Sequence, residues 1–226
     1  MRTFKEIERS IIKTYRKDIY SRFISLVKEY NLITNGDKIY LMIDGTTNAF
    51  LCAKLIQELK NHSSIKFDFE FVYNDDFLSE NLNEMNIISK KVSDSFMFDN
   101  EGKIISLDSY DDVIETTLSS ILDEGTYRTL LPIEKKEGYV YIRPLYLIKE
   151  IDIIRWKNYN GLAFLSPVNK NNKTKELIKC LRLNYNKTVE ENIFISSTNV
   201  NLDKLLGYNV NGKIVSYLDN YDDKKR

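Results

Sequence analysis

The chain has 226 residues, with 33 Lys+Arg balancing 33 Asp+Glu, 42% hydrophobic and 12% aromatic residues, and only 3 Pro and 8 Gly. That is enough for one ordinary domain with helical appendages and a real core. At a mean hydropathy of -0.37 the chain is too apolar to be disordered, and so few Pro and Gly exclude low-complexity and collagen-like sequences. No run approaches the ~18 apolar residues of a membrane span, and Met1–Ser10 lacks the apolar stretch of a secretory signal. Cys52 and Cys180 lie too far apart for a Cys-x-x-Cys arrangement, and two cysteines suggest a reduced compartment with neither a disulfide framework nor a zinc ribbon. The expectation is a soluble cytoplasmic protein with no membrane partner.

Charge is unevenly spread. Residues 68–124 hold 15 acids and 3 bases, residues 1–67 hold 12 bases and 7 acids, and residues 125–226 hold 18 bases and 11 acids. A basic footprint for a nucleic-acid partner must therefore come from the two ends. Solvated surface charge accounts for the same distribution without any partner.

In chain order, Phe4, Ile7, Ile11, Tyr15, Ile19, Phe23, Val27 and Tyr30 recur at steps of three and four, which predicts a helix or helix pair with one apolar face. The other face carries Arg2, Lys5, Arg9, Lys13, Arg16, Lys17 and Arg22, and the pattern stops at the Asn35-Gly36-Asp37 turn. Lys38–Asp44 reads as a buried strand, Gly45–Asn48 as a turn and Ala49–Lys60 as a helix. Phe67, Phe69, Phe71 and Tyr73 alternate with polar residues, a strand period, and Asp76–Met85 reads as a short helix. Such a succession is a βαβ unit and predicts a parallel sheet. Beyond it come strand-like Ser93–Phe98 and Lys103–Leu107, a helix over Asp111–Asp123, a strand over Tyr139–Arg143, helices over Ile151–Asn160 and Thr174–Tyr185, and an Asn211-Gly212 hairpin-type turn before Ile214–Leu218. Only Asp99–Gly102 separates Ser93–Phe98 from Lys103–Leu107. A parallel crossover needs a dozen or more residues, so these two segments pair as a hairpin or one leaves the sheet, as if a helix had been lost.

A strand that runs through a Gly-bearing turn into a helix is the usual geometry for gripping phosphate, because the first N–H groups of the helix point at the anion. Asp44-Gly45-Thr46-Thr47-Asn48-Ala49 occupies that place. It is neither a Walker A sequence nor G-x-G-x-x-G, and a plain strand-to-helix turn accounts for it alone.

Glu8–Phe23, Tyr30–Ile33, Gly36–Ile39, Tyr110–Thr117, Ile142-Arg-Pro-Leu-Tyr146, Asp152-Ile-Ile-Arg-Trp156, Asn192-Ile-Phe194 and Asn199–Tyr208 resemble, in the same order, the tRNA 2-thiocytidine synthetase family of PP-loop ATPases. The resemblance implies an α/β, Rossmann-like (adenine nucleotide α-hydrolase-like) mostly parallel sheet with helices on both faces. Its expected organisation is an N-terminal helical extension over 1–34, a PP-loop-like domain over 35–165, and C-terminal helices with a hairpin tail over 166–226.

The departures from that family fall on its chemistry. Where the family reads Ser-Gly-Gly-Lys-Asp-Ser, this chain keeps only Gly45 and has Asp44, Thr46, Thr47, Asn48 and Ala49. A carboxylate about 4 Å from a phosphate charge costs on the order of 4 kcal/mol at an effective dielectric of 20, roughly a thousandfold in affinity. Asp44 or Thr46 is also a candidate cap that fills the anion site from within. The family's Gly-His-His corresponds to Leu107-Asp108-Ser109. Asp111 and Asp112 remain as possible Mg²⁺ ligands, or as first-turn acids complementing a helix dipole. Of the two Cys-x-x-Cys pairs that hold an iron–sulfur cluster in thiolating members, the first would fall between Phe98 and Lys103 and the second after Leu162-Ala-Phe164, where this chain has Leu165-Ser-Pro-Val-Asn-Lys170. Cys52 and Cys180 do not replace four thiolates.

His62 reads as surface, Trp156 as core, and Lys173, Lys175, Lys179, Arg182 and Lys187 as either phosphate contacts or a solvated helix face. The expectation is a catalytically silent relative with no catalytic residue, no Fe–S cluster, and ATP and Mg²⁺ only if the loop still functions, retaining a scaffold and weak tRNA or nucleotide binding. Two alternatives stand beside it. One is an active ATP-dependent nucleotidyl-activating enzyme on tRNA or a small molecule, with Asp75, Asp76, Asp108, Asp111 and Asp112 gathered around Mg²⁺. The other is a protein-interaction module, a homo-oligomer or partner of an intact paralogue.

Overall fold

The computed structural model describes residues 2–166, 173–210 and 212–221, which divide into two compact units at Leu177 and Ile178. The first unit is built on a six-stranded sheet in the order β3-β2-β1-β4-β6-β5. Its strands are β1 (Lys38–Met42), β2 (Asp68–Tyr73), β3 (Lys90–Lys91), β4 (Lys103–Ile105), β5 (Ile133–Lys136) and β6 (Tyr139–Ile142). All neighbouring pairs are parallel except β5 with β6. This is the Rossmann-like, mostly parallel α/β fold that the sequence implied.

The N-terminal run is helical but underwound, and is interrupted at Tyr15, whose φ −102° and ψ 22° leave the helical region. Between α1 (Phe4–Arg9) and α2 (Ser21–Glu29) lie two π-helical turns, Ser10–Thr14 and Arg16–Tyr20, marked by Tyr15 N–H donating to the Ser10 carbonyl at 2.8 Å and Tyr20 N–H to the Tyr15 carbonyl at 3.3 Å. The sequence gives the reason. From Ile7 to Val27 the apolar residues recur every fourth position, and at 3.6 residues per turn each such step runs roughly 40° ahead. Five steps would carry Val27 roughly 200° from Ile7. The wider i→i+5 turns absorb that drift, so Ile7, Ile11, Ile19 and Phe23 are all fully buried and Val27 nearly so.

Helix α3 (Thr47–His62) links β1 to β2, α4 (Leu78–Glu84) links β2 to β3, and α5 (Tyr110–Leu122) follows β4. Helix α6 (Glu150–Asn160) ends on Gly161 at φ 69°, whose left-handed conformation closes the helix, with Leu162 N–H donating to the Lys157 carbonyl. Trp156, buried completely in α6, belongs to the core as expected. His62 closes α3 rather than lying in a loop, and its imidazole is 3.2 Å from the buried Glu58 carboxylate.

Two strand expectations need correction. Ser93–Phe98 is not a strand; it forms part of an irregular segment between β3 and β4. Its aromatic alternation serves stacking instead: Phe98 stacks on Tyr40 of β1 at 4.8 Å between centroids, and Phe96 meets Phe98 edge-on at 5.2 Å. The turn that follows needs Gly102, where a Cβ would lie 2.2 Å from the Tyr40 ring and 2.8 Å from the Lys38 carbonyl. The sequence predicts neither the two-residue β3 nor the edge strand β5. Strand β5 pairs with β6 through Glu137-Gly138, both at positive φ, a tight hairpin turn.

The second unit contains the C-terminal part of α7 (Lys173–Asn184), then α8 (Val189–Thr198), the antiparallel hairpin β7 (Gly207–Val210) and β8 (Lys213–Ser216), and α9 (Tyr217–Tyr221). Asn211 of the expected turn lies outside the described residues. Helix α8 buries none of its residues, and Tyr185, Leu206 and Ile214 are each more than three-quarters exposed.

Candidate functional site: the loop after β1 and its neighbours

The sheet changes direction between β1 and β4, where the chain leaves for β2 on one side and β4 stands on the other. The crevice outside the carboxyl ends of these two strands is where open α/β sheets bind ligands. Residues 43–48 and 106–109 form its walls. Gly45 takes φ 79°, open only to glycine without strain, and an added Cβ would sit 3.1 Å from Leu78.

Three of the backbone donors that would hold an anion there, the N–H groups of Thr46, Thr47 and Ala49, are already in use. Thr46 is the N-cap of α3, its hydroxyl oxygen accepting from Ala49 N–H at 3.3 Å. The Asp44 carboxylate accepts from both Thr46 N–H (3.0 Å) and the Thr46 hydroxyl (2.6 Å). Thr47 N–H donates to the Ser166 carbonyl at 3.1 Å, as does the Thr47 hydroxyl at 3.2 Å, while Ser166 N–H donates to the Gly45 carbonyl at 3.1 Å. A short parallel bridge thus joins Thr46 to Ser166. Across the crevice, the Asn48 amide donates to the Leu107 carbonyl at 3.0 Å and ties the two walls together. Asp44 itself is exposed, so water and salt screen its charge. Cys52, fully buried one turn along α3, has its thiol pushed up by burial and then by Asp44, which keeps it protonated.

The carboxylates beyond β4 are engaged separately. Asp112 completes a capping box at the start of α5, accepting from Ser109 N–H (2.8 Å) and its hydroxyl (3.0 Å). Asp111 accepts from Glu150 N–H at 2.6 Å and so caps α6, a different helix. Asp108 accepts from the Ser106 hydroxyl at 2.7 Å and from Arg143 Nε at 3.0 Å. Asp75 turns back on Phe77 N–H, and Asp76 lies 2.6 Å from Lys91. The five acids therefore do not assemble around one point, and among the described residues no three His, Cys, Asp or Glu side chains come together in a form that could hold a metal ion.

Arg143 is the residue that sequence reasoning passed over. Nearly buried, it bonds Asp108, the Leu131 carbonyl (2.6 Å) and Glu134 (2.9 Å), while its own N–H reaches the Pro132 carbonyl at 3.0 Å. The Ile142-Arg-Pro-Leu-Tyr146 run was its one signal. Tyr146, from the same run, donates to the Leu130 carbonyl at 3.1 Å, and burial pushes its phenol up to about 12. A cleft of about 290 Å³ opens beside α5, with Asp108, Asp112, Glu115 and Glu124 against a single Arg128, itself held in a two-pronged pair by Glu124. Its balance of charge is wrong for a triphosphate.

No protein-family model matches the chain, and no curated protein matches it in sequence. Among solved structures it is similar to the U34-tRNA thiolase NcsA from Methanococcus maripaludis, described with its [4Fe-4S] cluster, at 13% identity and a TM-score of 0.54 over 87% of this chain and 79% of that one. A weaker likeness, with a TM-score of 0.45 and 14% identity over 76% and 80%, is to the FMN adenylyltransferase of Candida glabrata with FMN and an ATP analogue. The fold is adenine nucleotide α-hydrolase-like. At this identity the likeness extends to the fold alone, and no helix among the described residues is long and apolar enough to cross a membrane.

Proposed function

We propose that this protein is a catalytically silent, cytoplasmic relative of the tRNA 2-thiocytidine synthetases, one that keeps the PP-loop scaffold and weak RNA binding while having lost ATP and iron–sulfur chemistry. The observation that carries this reading is the self-satisfied start of α3, where Asp44, Thr46 and Ser166 take up the N–H groups of Thr46, Ala49 and Thr47. An anion could gain those donors only by displacing partners already in place. Neither group implied by the resemblance fits the residues present. ATP with Mg²⁺ meets occupied donors and dispersed carboxylates, and an iron–sulfur cluster meets two cysteines, one sealed inside α3 and one exposed on α7.

Isothermal titration of Mg-ATP into the full chain tests the reading, with no heat of binding expected up to millimolar nucleotide; micromolar binding would overturn it. Asp44→Ser should raise any residual nucleotide affinity by freeing Thr46 N–H. A second reading, as an interaction module acting with a second copy or an intact paralogue, draws on the apolar side chains left exposed on α8 and the β7–β8 hairpin. Light scattering that returns a monomer at every concentration would remove the homo-oligomeric form of it.

A further inference from the structure

We infer that the underwound N-terminal helices carry a single-file contact line for the phosphodiester backbone of RNA, formed by Lys5, Arg9, Lys13 and Lys17. The four cations recur at every fourth residue, in the same period as the buried Ile7, Ile11 and Ile19 and offset from them by two. The π-turns that keep the apolar line facing the core therefore keep these cations in line on the opposite side. All four are exposed. At no more than the α-helical rise of about 1.5 Å per residue they stand at most roughly 6 Å apart along at most roughly 18 Å of axis, with exposed Arg16 beside Lys17.

The acids interleaved with this line are directed elsewhere. Glu6 accepts from the N–H and hydroxyl of Thr3 at the start of α1, contacts that hold its carboxyl below the usual range, and Glu8 reaches inward to the buried Lys54 at 2.8 Å. The positive charge is thus left facing solvent in a chain whose net charge is zero. A regular row of cations complements a polymer of regularly spaced phosphates. It does not suit insertion into a bilayer, because the apolar face such insertion requires is spent on the protein core.

This inference rests on the reading above only in taking RNA as the partner. It is tested by fluorescence polarisation of a labelled, unmodified tRNA transcript with the full-length protein across a salt series. The quadruple variant Lys5→Gln, Arg9→Gln, Lys13→Gln, Lys17→Gln should bind at least about thirtyfold more weakly and flatten the slope of log affinity against log salt by about 3. A charge-matched control, Lys66→Gln, Lys90→Gln, Lys135→Gln, Lys136→Gln, should stay within about threefold of wild type, and both variants should keep the wild-type melting profile, since all eight positions are exposed. Equal losses in the two variants, or undiminished binding in the first, would overturn the line while leaving RNA binding intact. Absence of RNA binding by the wild type at low salt would overturn both the line and the RNA-binding part of the proposed function. Loss of binding to phosphatidylserine vesicles, rather than to RNA, would give the line to a membrane surface and refute the inference.

Discussion

The crevice between β1 and β4 and the outer face of the N-terminal helices treat charge in opposite ways. In the crevice, donors and carboxylates are turned on one another: Asp44 on Thr46, Asp112 on Ser109, Asp111 on the start of α6, Asp108 on Arg143. On the helices, the acids are drawn off to Thr3 and Lys54 and the cations are left to solvent. A site that satisfies itself gives up ligand affinity, because a ligand must first displace the partners its donors already have. The surface left to solvent is the one on which the RNA proposal rests.

The largest effect should come at Arg143, the cation at the centre of the crevice's polar network. Arg143→Ala leaves Asp108 and Glu134 without their shared cation and the Leu131 carbonyl without its donor, and should cost about 3–5 kcal/mol, read by urea unfolding followed through the fluorescence of Trp156, the only tryptophan. Thr46→Ala removes the N-cap and the hydroxyl that Asp44 binds; the expected cost is about 1 kcal/mol, a drop of roughly 2–4 °C in melting temperature.

A smaller effect tests a buried charge. Burial lowers the pKa of Lys54, with Glu8 and then Glu58 opposing the shift, and the net result is downward. Between its folded value and the ordinary 10.5 the unfolded chain binds the extra proton, so stability rises with pH across that window. Wild type should therefore gain on Lys54→Met as pH is raised from neutral toward 10, measured by denaturant midpoints at each pH. Least affected should be Lys13→Gln, whose stability should lie within about 0.5 kcal/mol of wild type, with any loss confined to RNA affinity and its salt dependence.

Much of the scaffold was legible because period and punctuation agreed. Lys38–Asp44, the Gly45 turn and the apolar face of Leu51, Leu55 and Leu59 predict β1, its turn and α3, and the structure has them within a few residues. Strand β5 was hidden because Ile133-Glu-Lys-Lys136 is a short edge strand with one apolar residue, and its hairpin turn is written only as Glu-Gly. Ser93–Phe98 misled for the converse reason: alternating aromatics that fit a pleated surface fit an aromatic stack on Tyr40 equally well. At the candidate site, a cap formed by Asp44 and Thr46 could be anticipated from residue type and position. The stitch from Ser166 could not, since it uses backbone groups, which every residue carries, from a segment more than a hundred positions away.

The four-residue register of the first helices also governs which changes of length this chain can accept. One residue inserted between Ile11 and Ile19 would turn everything upstream by about a quarter revolution, swinging Ile7 out of the interior and Lys5 and Arg9 out of file together. Four inserted residues would restore both alignments at once, so length variation in this segment should come in fours, where an ordinary amphipathic helix would tolerate seven or eleven.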